Sequence, residues 1–146
     1  MLISTESISL NYVKYSETSI IVKCFTKSDG LKSYLIKGIR SSKKKILNIG
    51  LFQPLTIIEI DANHKNKGNL ESIRSAKISN SYKTIHIDIF KNSIVLFLSE
   101  VLAKSIKEEE KNIELFEFVK KSMIWLDNSE KFSNFHIQFL VKLLSF

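Results

Sequence analysis

The sequence predicts an α+β protein in which five antiparallel strands are followed by three helices. Apolar residues alternate at period two through the first half of the chain and recur at helical spacing after residue 84. All four glycines lie between the predicted strands, and Pro54, the one proline, begins a predicted strand, where a missing N–H costs least. The 146 residues, 44% hydrophobic and 25% charged, can bury the core of one domain or of two small ones.

The predicted strands are short runs rich in β-branched and aromatic residues. They cover Ile8–Tyr12, Ile20–Phe25, Leu31–Ile36, Leu55–Ile60 and, more weakly, Asn69–Ile78. Asp29-Gly30 separates the second run from the third and supplies the positive φ angles of a tight hairpin. The runs leave no room for crossover helices. We therefore expect an antiparallel meander that closes on itself, because a small open sheet would leave exposed edges.

Three helices are predicted in the second half of the chain. The first should bury one face, formed by Phe90, Ile94, Phe97, Leu98, Val101 and Leu102. The second should begin at an N-cap, Asn112, and bury Phe116, Val119, Met123 and Leu126. The third should run from Phe135 to the end of the chain. Trp125 and the phenylalanines at helical spacing are expected in the core. Phe146 ends an apolar helix without a stop signal, so either the helical part is incomplete or the helix packs against a partner.

The positive charge lies in the first half of the chain. Residues 1–80 carry 13 Lys and Arg against 6 Asp and Glu, whereas residues 81–146 carry 9 of each, for a net charge of +7. Such an excess favours a polyanionic partner, either nucleic acid or an anionic membrane surface. Membrane binding is the weaker alternative, because no predicted helix pairs a basic face with an apolar one. Residues 1–6 do not form a basic segment followed by a long apolar one, and no apolar run is long enough to span a bilayer, so we expect a cytoplasmic protein.

The stretch KGIRSSKKKIL, residues 37–47, is the candidate site. It places five basic residues within nine positions between two predicted strands: Lys37, Arg40, Lys43, Lys44 and Lys45. Lysines of this kind would neutralise phosphates, although a basic run is also typical of a solvated loop. Lys14, Lys23, Lys27 and Lys32 would extend the surface if they point outwards from the same side. Tyr12, Tyr15 and Tyr34 are either stacking platforms for bases or part of the barrel core or rim.

Catalytic chemistry finds little support in the sequence. Cys24 is the one cysteine, which excludes an internal disulfide and a multi-cysteine zinc site within this chain. His64, His86 and His136 have no neighbour at ligand spacing, and no two glycines stand close enough to form a phosphate-binding loop. We expect no enzyme activity, no catalytic or metal-binding residue and no cofactor.

Several motifs, in their order along the chain, resemble the RecO family of bacterial DNA repair proteins, particularly its Bacteroidetes branch. The motifs of the strand region are Thr5, Ile8 and Leu10, then Tyr15-Ser16-Glu17-Thr18-Ser19-Ile20-Ile21-Val22, Phe25-Thr26 with Gly30, Lys37-Gly38-Ile39-Arg40, and Leu51-Phe52-Gln53-Pro54-Leu55, which fits the family's fourth strand. Those of the helical region are Phe97-Leu98-Ser99-Glu100, Leu115-Phe116-Glu117, Trp125-Leu126-Asp127 and Asn134-Phe135-His136. Ser16 stands where the family usually has glycine.

The resemblance implies an OB-fold barrel over residues 1–80, followed by a helical domain over residues 81–146. It also implies binding of single- and double-stranded DNA, annealing of complementary strands, and work with RecR, single-stranded-DNA-binding protein and RecA on the nucleoid. The DNA contacts would be made by the candidate residues Lys14, Lys23, Lys32, Lys37, Arg40, Lys43, Lys44 and Lys45. An alternative is a protein-interaction adaptor of the repair machinery, which docks a partner through its helices and has reduced or lost DNA binding.

Overall fold

The computed structural model describes residues 1–40, 47–67, 70–106 and 110–146. Five strands form one antiparallel sheet, and three helices follow. The strands are β1 (Leu2–Lys14), β2 (Ile20–Thr26), β3 (Gly30–Ile36), β4 (Ile57–Asn63) and β5 (Ser72–Asn80), and the helices are α1 (Ile89–Ser105), α2 (Ile113–Asn128) and α3 (Phe135–Leu143). The predicted α+β class, with strands before helices, is confirmed.

The strand order is β3-β2-β1-β4-β5, which differs from the expected meander. A meander would place β4 beside β3, but β4 pairs with β1 instead. The cause is the length of β1, whose 13 residues pair with β4 over Leu2–Ile8 and with β2 over Ser7–Lys14. A bulge between Ser9 and Asn11 bends the strand. One long bent strand shared by the two halves of the sheet is how a small barrel closes.

Closure between β3 and β5 is made by one bridge. The N–H of Leu35 donates to the carbonyl of Glu71 at 3.0 Å, and the N–H of Glu71 donates to the carbonyl of Ser33 at 2.9 Å. Among the described residues this is the one ladder contact between the two strands. The barrel is therefore closed at this point, and the seam between β3 and β5 opens on either side of it.

The segment before β4 was expected to be strand and is not. Residues Ile49–Phe52 form a short 3₁₀ helix, and Leu55 has a φ of 58°, outside the strand region. The strand begins at Ile57, two residues later than predicted. The side chains of Leu51, Phe52 and Leu55 are buried although they are not in a strand. Apolar residues of this kind are also typical of a strand, which explains why a strand was predicted from Leu55.

Two hydrophobic cores hold the fold together. The first lies inside the barrel and contains Ile20, Val22, Cys24, Tyr34, Ile36, Phe52, Ile58, Ile60 and Ile73. The second lies between the barrel and the helices and joins Ile8, Leu10, Phe25 and Leu31 to Val95, Leu98, Leu102, Phe116, Val119, Met123 and Leu126. Burial raises the pKa of the Cys24 thiol to about 12, in keeping with a core residue and not with a nucleophile.

The buried face of α1 agrees with the prediction at Leu98 and Leu102, and Ile94 packs against the same core, but the prediction is wrong for Phe90 and Phe97. Phe90 and Phe97 are 71% and 50% exposed, and the face that packs on the protein contains Val95, Leu98 and Leu102 together with two polar residues, Lys91 and Ser99. Helix α1 is apolar on more than one side, so its periodicity alone does not indicate which side is buried. The prediction for α2 is confirmed, including its N-cap: the side chain of Asn112 accepts from the N–H of Leu115.

Trp125 was expected in the core and is 51% exposed. Its ring stacks on Phe135 of α3, with centroids 5.6 Å apart and an angle of 9° between the ring planes. Helix α2 buries Met123 and Leu126 on either side of this position, which leaves Trp125 at the boundary with solvent. The stack with Phe135 therefore joins α2 to α3 at the surface.

Candidate nucleic-acid interface

The outer face of β1, β2 and β3 is formed by two rows of cross-strand neighbours. The register places Asn11, Lys23 and Ser33 in one row, and Val13, Ile21 and Leu35 in the other. These side chains point away from the barrel, because their strand neighbours Val22, Cys24 and Tyr34 lie in the barrel core. The outer face thus combines an apolar row with a polar row that contains one lysine.

Three of the predicted site residues lie on this side of the barrel. Lys23 stands in the polar row, and Lys37 follows the end of β3 and is exposed. The N–H of Arg40 donates to the carbonyl of Thr18 at 3.0 Å, which places Arg40 beside the turn between β1 and β2. Its side chain is exposed as well. The fold therefore brings together residues from two separate stretches of the sequence.

Lys14 lies on a different side. It pairs with Ile20, whose side chain is in the barrel core, so Lys14 points to the rim of the barrel and not to the outer face. Tyr12 shares this orientation through its partner Val22 and is 39% exposed, while Tyr15 in the turn is 60% exposed. Tyr34 is fully buried, so of the two readings open for it the structure supports a core residue.

Lys32 does not meet the condition that its side chain should point outwards. It is 4% exposed, its ammonium donates to Asn66 Oδ1 at 2.7 Å, and its Nζ lies 3.8 Å from Glu71 Oε2. A phosphate would have to compete with this internal carboxylate for the ammonium group. Lys32 is therefore not part of the exposed basic surface. Lys27 is turned towards the helices, where it pairs with Glu117 at 2.9 Å. Lys43, Lys44 and Lys45 lie outside the described residues.

The sequence analysis missed a groove beside the outer face, at the seam between β3 and β5. The groove has a volume of about 430 Å³ and is lined by Leu35, Ile36, Lys37, Leu47, Asn63, Lys65, Leu70, Glu71, Ser72 and Ile73. Lys65 and Lys67, in the loop between β4 and β5, are exposed and were not singled out. The run His64-Lys65-Asn66-Lys67 could have indicated them, because two lysines there flank a turn residue.

A buried carboxylate holds the loop that carries these lysines. Glu71 accepts from the N–H of Lys65 at 3.0 Å and from the N–H of Asn66 at 3.0 Å. Burial alone would raise the pKa of Glu71, but these backbone donors, with the nearby Lys32, outweigh it and hold that pKa below its ordinary value. Glu71 is therefore charged at neutral pH, and its charge is directed inwards.

A second buried network anchors the same loop to the barrel. Tyr34 Oη lies 2.6 Å from His64 Nε2, and His64 Nδ1 lies 3.2 Å from Asp29 Oδ2. The side chain of His64 is fully buried, and each of its ring nitrogens has a protein partner. Neither nitrogen is therefore accessible to a substrate. Together the two networks fix the loop against the ends of β3 and β4.

Neither a metal site nor a membrane-spanning helix accompanies this surface in the described parts of the chain. No group of three or more His, Cys, Asp or Glu residues that could hold a metal ion is present in the described parts of the chain. Within the same parts, no helix is both long enough and apolar enough to cross a membrane.

Fold and site together define a class: an OB-type barrel with exposed basic residues on one side, followed by a helical domain that packs against it. Comparison with family models places the chain within this class. The model described as "Recombination protein O N terminal" matches residues 1–82, and the model described as "Recombination protein O C terminal" matches residues 86–146. The chain belongs to the RecO family.

Relatives with curated names support the same assignment. The chain is 50% identical over 142 residues to the DNA repair protein RecO of Flavobacterium psychrophilum, with 97% of this chain and 60% of the relative covered. It is 49% identical over 146 residues to that of Flavobacterium johnsoniae, covering 100% of this chain and 62% of the relative. For Bacteroides fragilis the identity is 40% over 147 residues, with 100% and 60% covered. The chain thus spans about 60% of the length of the relatives it matches.

Proposed function

We propose that this chain is a DNA repair and recombination mediator that binds single- and double-stranded DNA through the basic side of its barrel. In this proposal it anneals complementary strands and helps RecR to load RecA onto DNA coated with single-stranded-DNA-binding protein, in the cytoplasm at the nucleoid. No catalytic step, cofactor or membrane is involved. The observation that carries the proposal is the clustering of Lys23, Lys37 and Arg40 around the outer face of β1, β2 and β3.

The composition of this surface suits annealing. Lysines contact phosphates as point charges and carry no information about sequence, so a bound strand keeps its base edges open to a complementary strand. Affinity of this kind arises from counterion release and falls steeply as salt is added. The apolar row of Val13, Ile21 and Leu35 offers contact to unstacked bases beside the phosphates.

We expect charge reversal at the outer face to weaken DNA binding. In the triple variant Lys23→Glu, Lys37→Glu, Arg40→Glu, the slope of log affinity against log salt for a labelled single strand should become shallower by about 2. That value assumes that each lost phosphate contact contributes about 0.7. Fluorescence anisotropy across a salt series measures this slope, and a strand-annealing assay should show a parallel loss.

A matched control carries the same change of net charge on the helical half of the chain. Lys104→Glu, Lys111→Glu, Lys131→Glu reverses three exposed lysines there and should keep a salt slope close to the native one. A third variant reverses Lys43, Lys44 and Lys45 and tests the basic stretch separately. Equal binding by the outer-face variant and the native chain would rule out the proposed surface.

A second candidate function is that of an adaptor that docks RecR through its helices. The observation that favours it is a groove of about 450 Å³ between α2 and α3, lined by aromatic residues that include Phe118, Trp125 and Phe139. Trp125 is the one tryptophan of the chain and half of its surface is exposed, so it can report on docking.

We expect the Trp125 emission to shift to shorter wavelength when purified RecR docks in this groove, because docking removes the indole from water. The measurement is a fluorescence titration with the spectrum of RecR subtracted, and Phe118→Ala should weaken the apparent affinity. Calorimetric binding of RecR without any change in Trp125 emission would place the RecR contact elsewhere on the chain.

A further inference from the structure

The seam groove has two walls from different parts of the barrel. One wall is the end of β3, with Leu35 and Lys37, and the other is the loop and first residues of β5, with Lys65 and Leu70. Its buried floor is formed by Ile36 and Ile73, which belong to the barrel core. The volume of about 430 Å³ falls in the range of about 300 to 1,000 Å³ that is typical of small-molecule sites.

The charge of the groove is positive at its rim. Lys37 and Lys65 are both exposed and stand on opposite walls. The one acidic residue in the lining, Glu71, is 5% exposed and its carboxylate is directed to the backbone N–H groups of Lys65 and Asn66. An occupant of the groove therefore meets mainly apolar side chains and two cations at the edge, while the carboxylate of Glu71 is bound to the backbone and directed away from it.

Apolar walls below a cationic rim match one nucleotide of a single strand. Leu70 is 40% exposed and lines the groove together with Leu35, so a flat apolar ring bound in the groove would cover apolar side chains of both strands' ends. The phosphates on either side of that ring would then lie near Lys37 and Lys65. A base in duplex DNA cannot enter, because pairing and stacking hold it inside the helix.

We propose that this groove is a slot for one unstacked base of single-stranded DNA. The inference rests on the proposed function and adds a preference to it: the slot favours single strands, whereas the lysines of the outer face serve single and double strands alike. Pairing of the bound strand with its complement withdraws the base from the slot. Annealing thus weakens the hold of the protein on its own product.

The test compares three ligands that differ in their bases: a short oligothymidylate, an abasic strand of the same length and phosphate number, and a duplex. The native chain should bind the oligothymidylate at least about five-fold more tightly than the abasic strand, a difference that equals the lower end of the range for one base stacked on an aromatic side chain. The variant Leu35→Ala, Leu70→Ala should lose this preference and keep its duplex affinity. Both leucines are partly exposed, and urea unfolding checks that the variant is folded.

A control variant removes the same kind of surface at another place. Ile87→Ala, Leu96→Ala truncates two exposed apolar residues, one just before α1 and one on it, and should keep the native preference for base-bearing strands. A strand with 2-aminopurine at one position gives a second readout, since insertion of the base into the slot changes its fluorescence in the native chain and not in the slot variant.

The outcomes separate this inference from the proposed function. Equal affinity of the native chain for the oligothymidylate and the abasic strand, or an unchanged preference in the slot variant, overturns the slot and leaves the basic surface standing. A different measurement would show failure of the proposed function: the variant Lys23→Glu, Lys37→Glu, Arg40→Glu would then bind all three ligands with the affinity of the native chain.

Discussion

Replacement of Gly30 by alanine should lower the free energy of unfolding by about 3 kcal/mol or more. Gly30 has a φ of 72°, in the left-handed region that L side chains rarely adopt. A Cβ at this position would also meet the backbone of Glu110, in the segment before α2, at 2.6 Å from its carbonyl carbon and 2.8 Å from its nitrogen, with the carbonyl oxygen closer still. Backbone strain and overpacking therefore act at the same residue.

The clash cannot be relieved locally. The Thr26 hydroxyl donates to the carbonyl of Gly30 at 2.7 Å and accepts from the N–H of Asp29 at 3.1 Å, which fixes the turn between β2 and β3. Movement of the turn would break these bonds, and movement of Glu110 would shift the start of α2. We thus expect the hairpin and the helices to be destabilised together.

Gly50→Ala is the matched control for this prediction. Gly50 is exposed, its φ lies outside the left-handed region, and the nearest atom to an added Cβ is Asn48 Oδ1 at 3.1 Å. Its effect should stay within about 1 kcal/mol. Urea unfolding of the two variants measures the difference. Equal stability of the two variants would mean that neither the left-handed backbone of Gly30 nor its contact with Glu110 limits the residue at this position.

The sequence indicated the strands and helices well because each has a strong local pattern. Alternation located β2 and β3 to within one residue, and the N-cap Asn112 located the start of α2. The first half of β1 was missed, because its buried positions Thr5 and Ser7 are small and polar where alternation expects large apolar residues. The Ser9 hydroxyl is satisfied by the carbonyl of Phe52 at 3.1 Å, a partner that local sequence does not reveal.

The candidate site was predicted less completely, for a related reason. The direction in which a lysine points depends on strand register, which separates Lys23 from Lys14 although both lie in neighbouring strands. Burial of Lys32 depends on Asn66 and Glu71, which stand more than thirty residues further along the chain. The seam groove is formed by β3 and β5, and neither strand alone carries any sign of it. Partners that are remote in sequence thus decide which basic residues are free to bind.

Asp127 is the other position at which one side chain holds several elements together. Its carboxylate accepts from the N–H groups of Lys83, Thr84 and Ile85, at distances between 2.8 and 3.2 Å, and from the Thr84 hydroxyl at 3.1 Å. The buried ammonium of Lys91 donates to the carbonyl of Asp127 at 3.2 Å and to the Thr84 hydroxyl at 2.9 Å. The segment after β5 and the start of α1 therefore meet at one residue at the end of α2: the segment binds the carboxylate of Asp127, and Lys91 binds its backbone carbonyl.

We expect Asp127→Ala to lower the free energy of unfolding by about 3 to 5 kcal/mol, because the N–H groups of Lys83, Thr84 and Ile85 lose their charged acceptor. Asp127→Asn keeps the shape and one acceptor oxygen and should cost about 1 to 2 kcal/mol. Asp88→Asn is the control, because Asp88 caps α1 through the N–H groups of Phe90 and Lys91, and asparagine caps a helix equally well.

The stability difference between the native chain and Asp127→Asn should also depend on pH. Burial by itself would raise the pKa of Asp127, but the N–H donors of Lys83, Thr84 and Ile85 outweigh it and hold that pKa below its ordinary value. A lowered pKa in the folded state means that the stabilisation is fully present above the ordinary pKa of about 4 and is lost as the pH falls through the lowered value. Urea unfolding at a series of pH values should therefore show a constant difference near neutral pH that shrinks under acid conditions. A difference that stays constant down to the acid limit would show that the charge of Asp127 contributes nothing, and that only its shape and one acceptor matter.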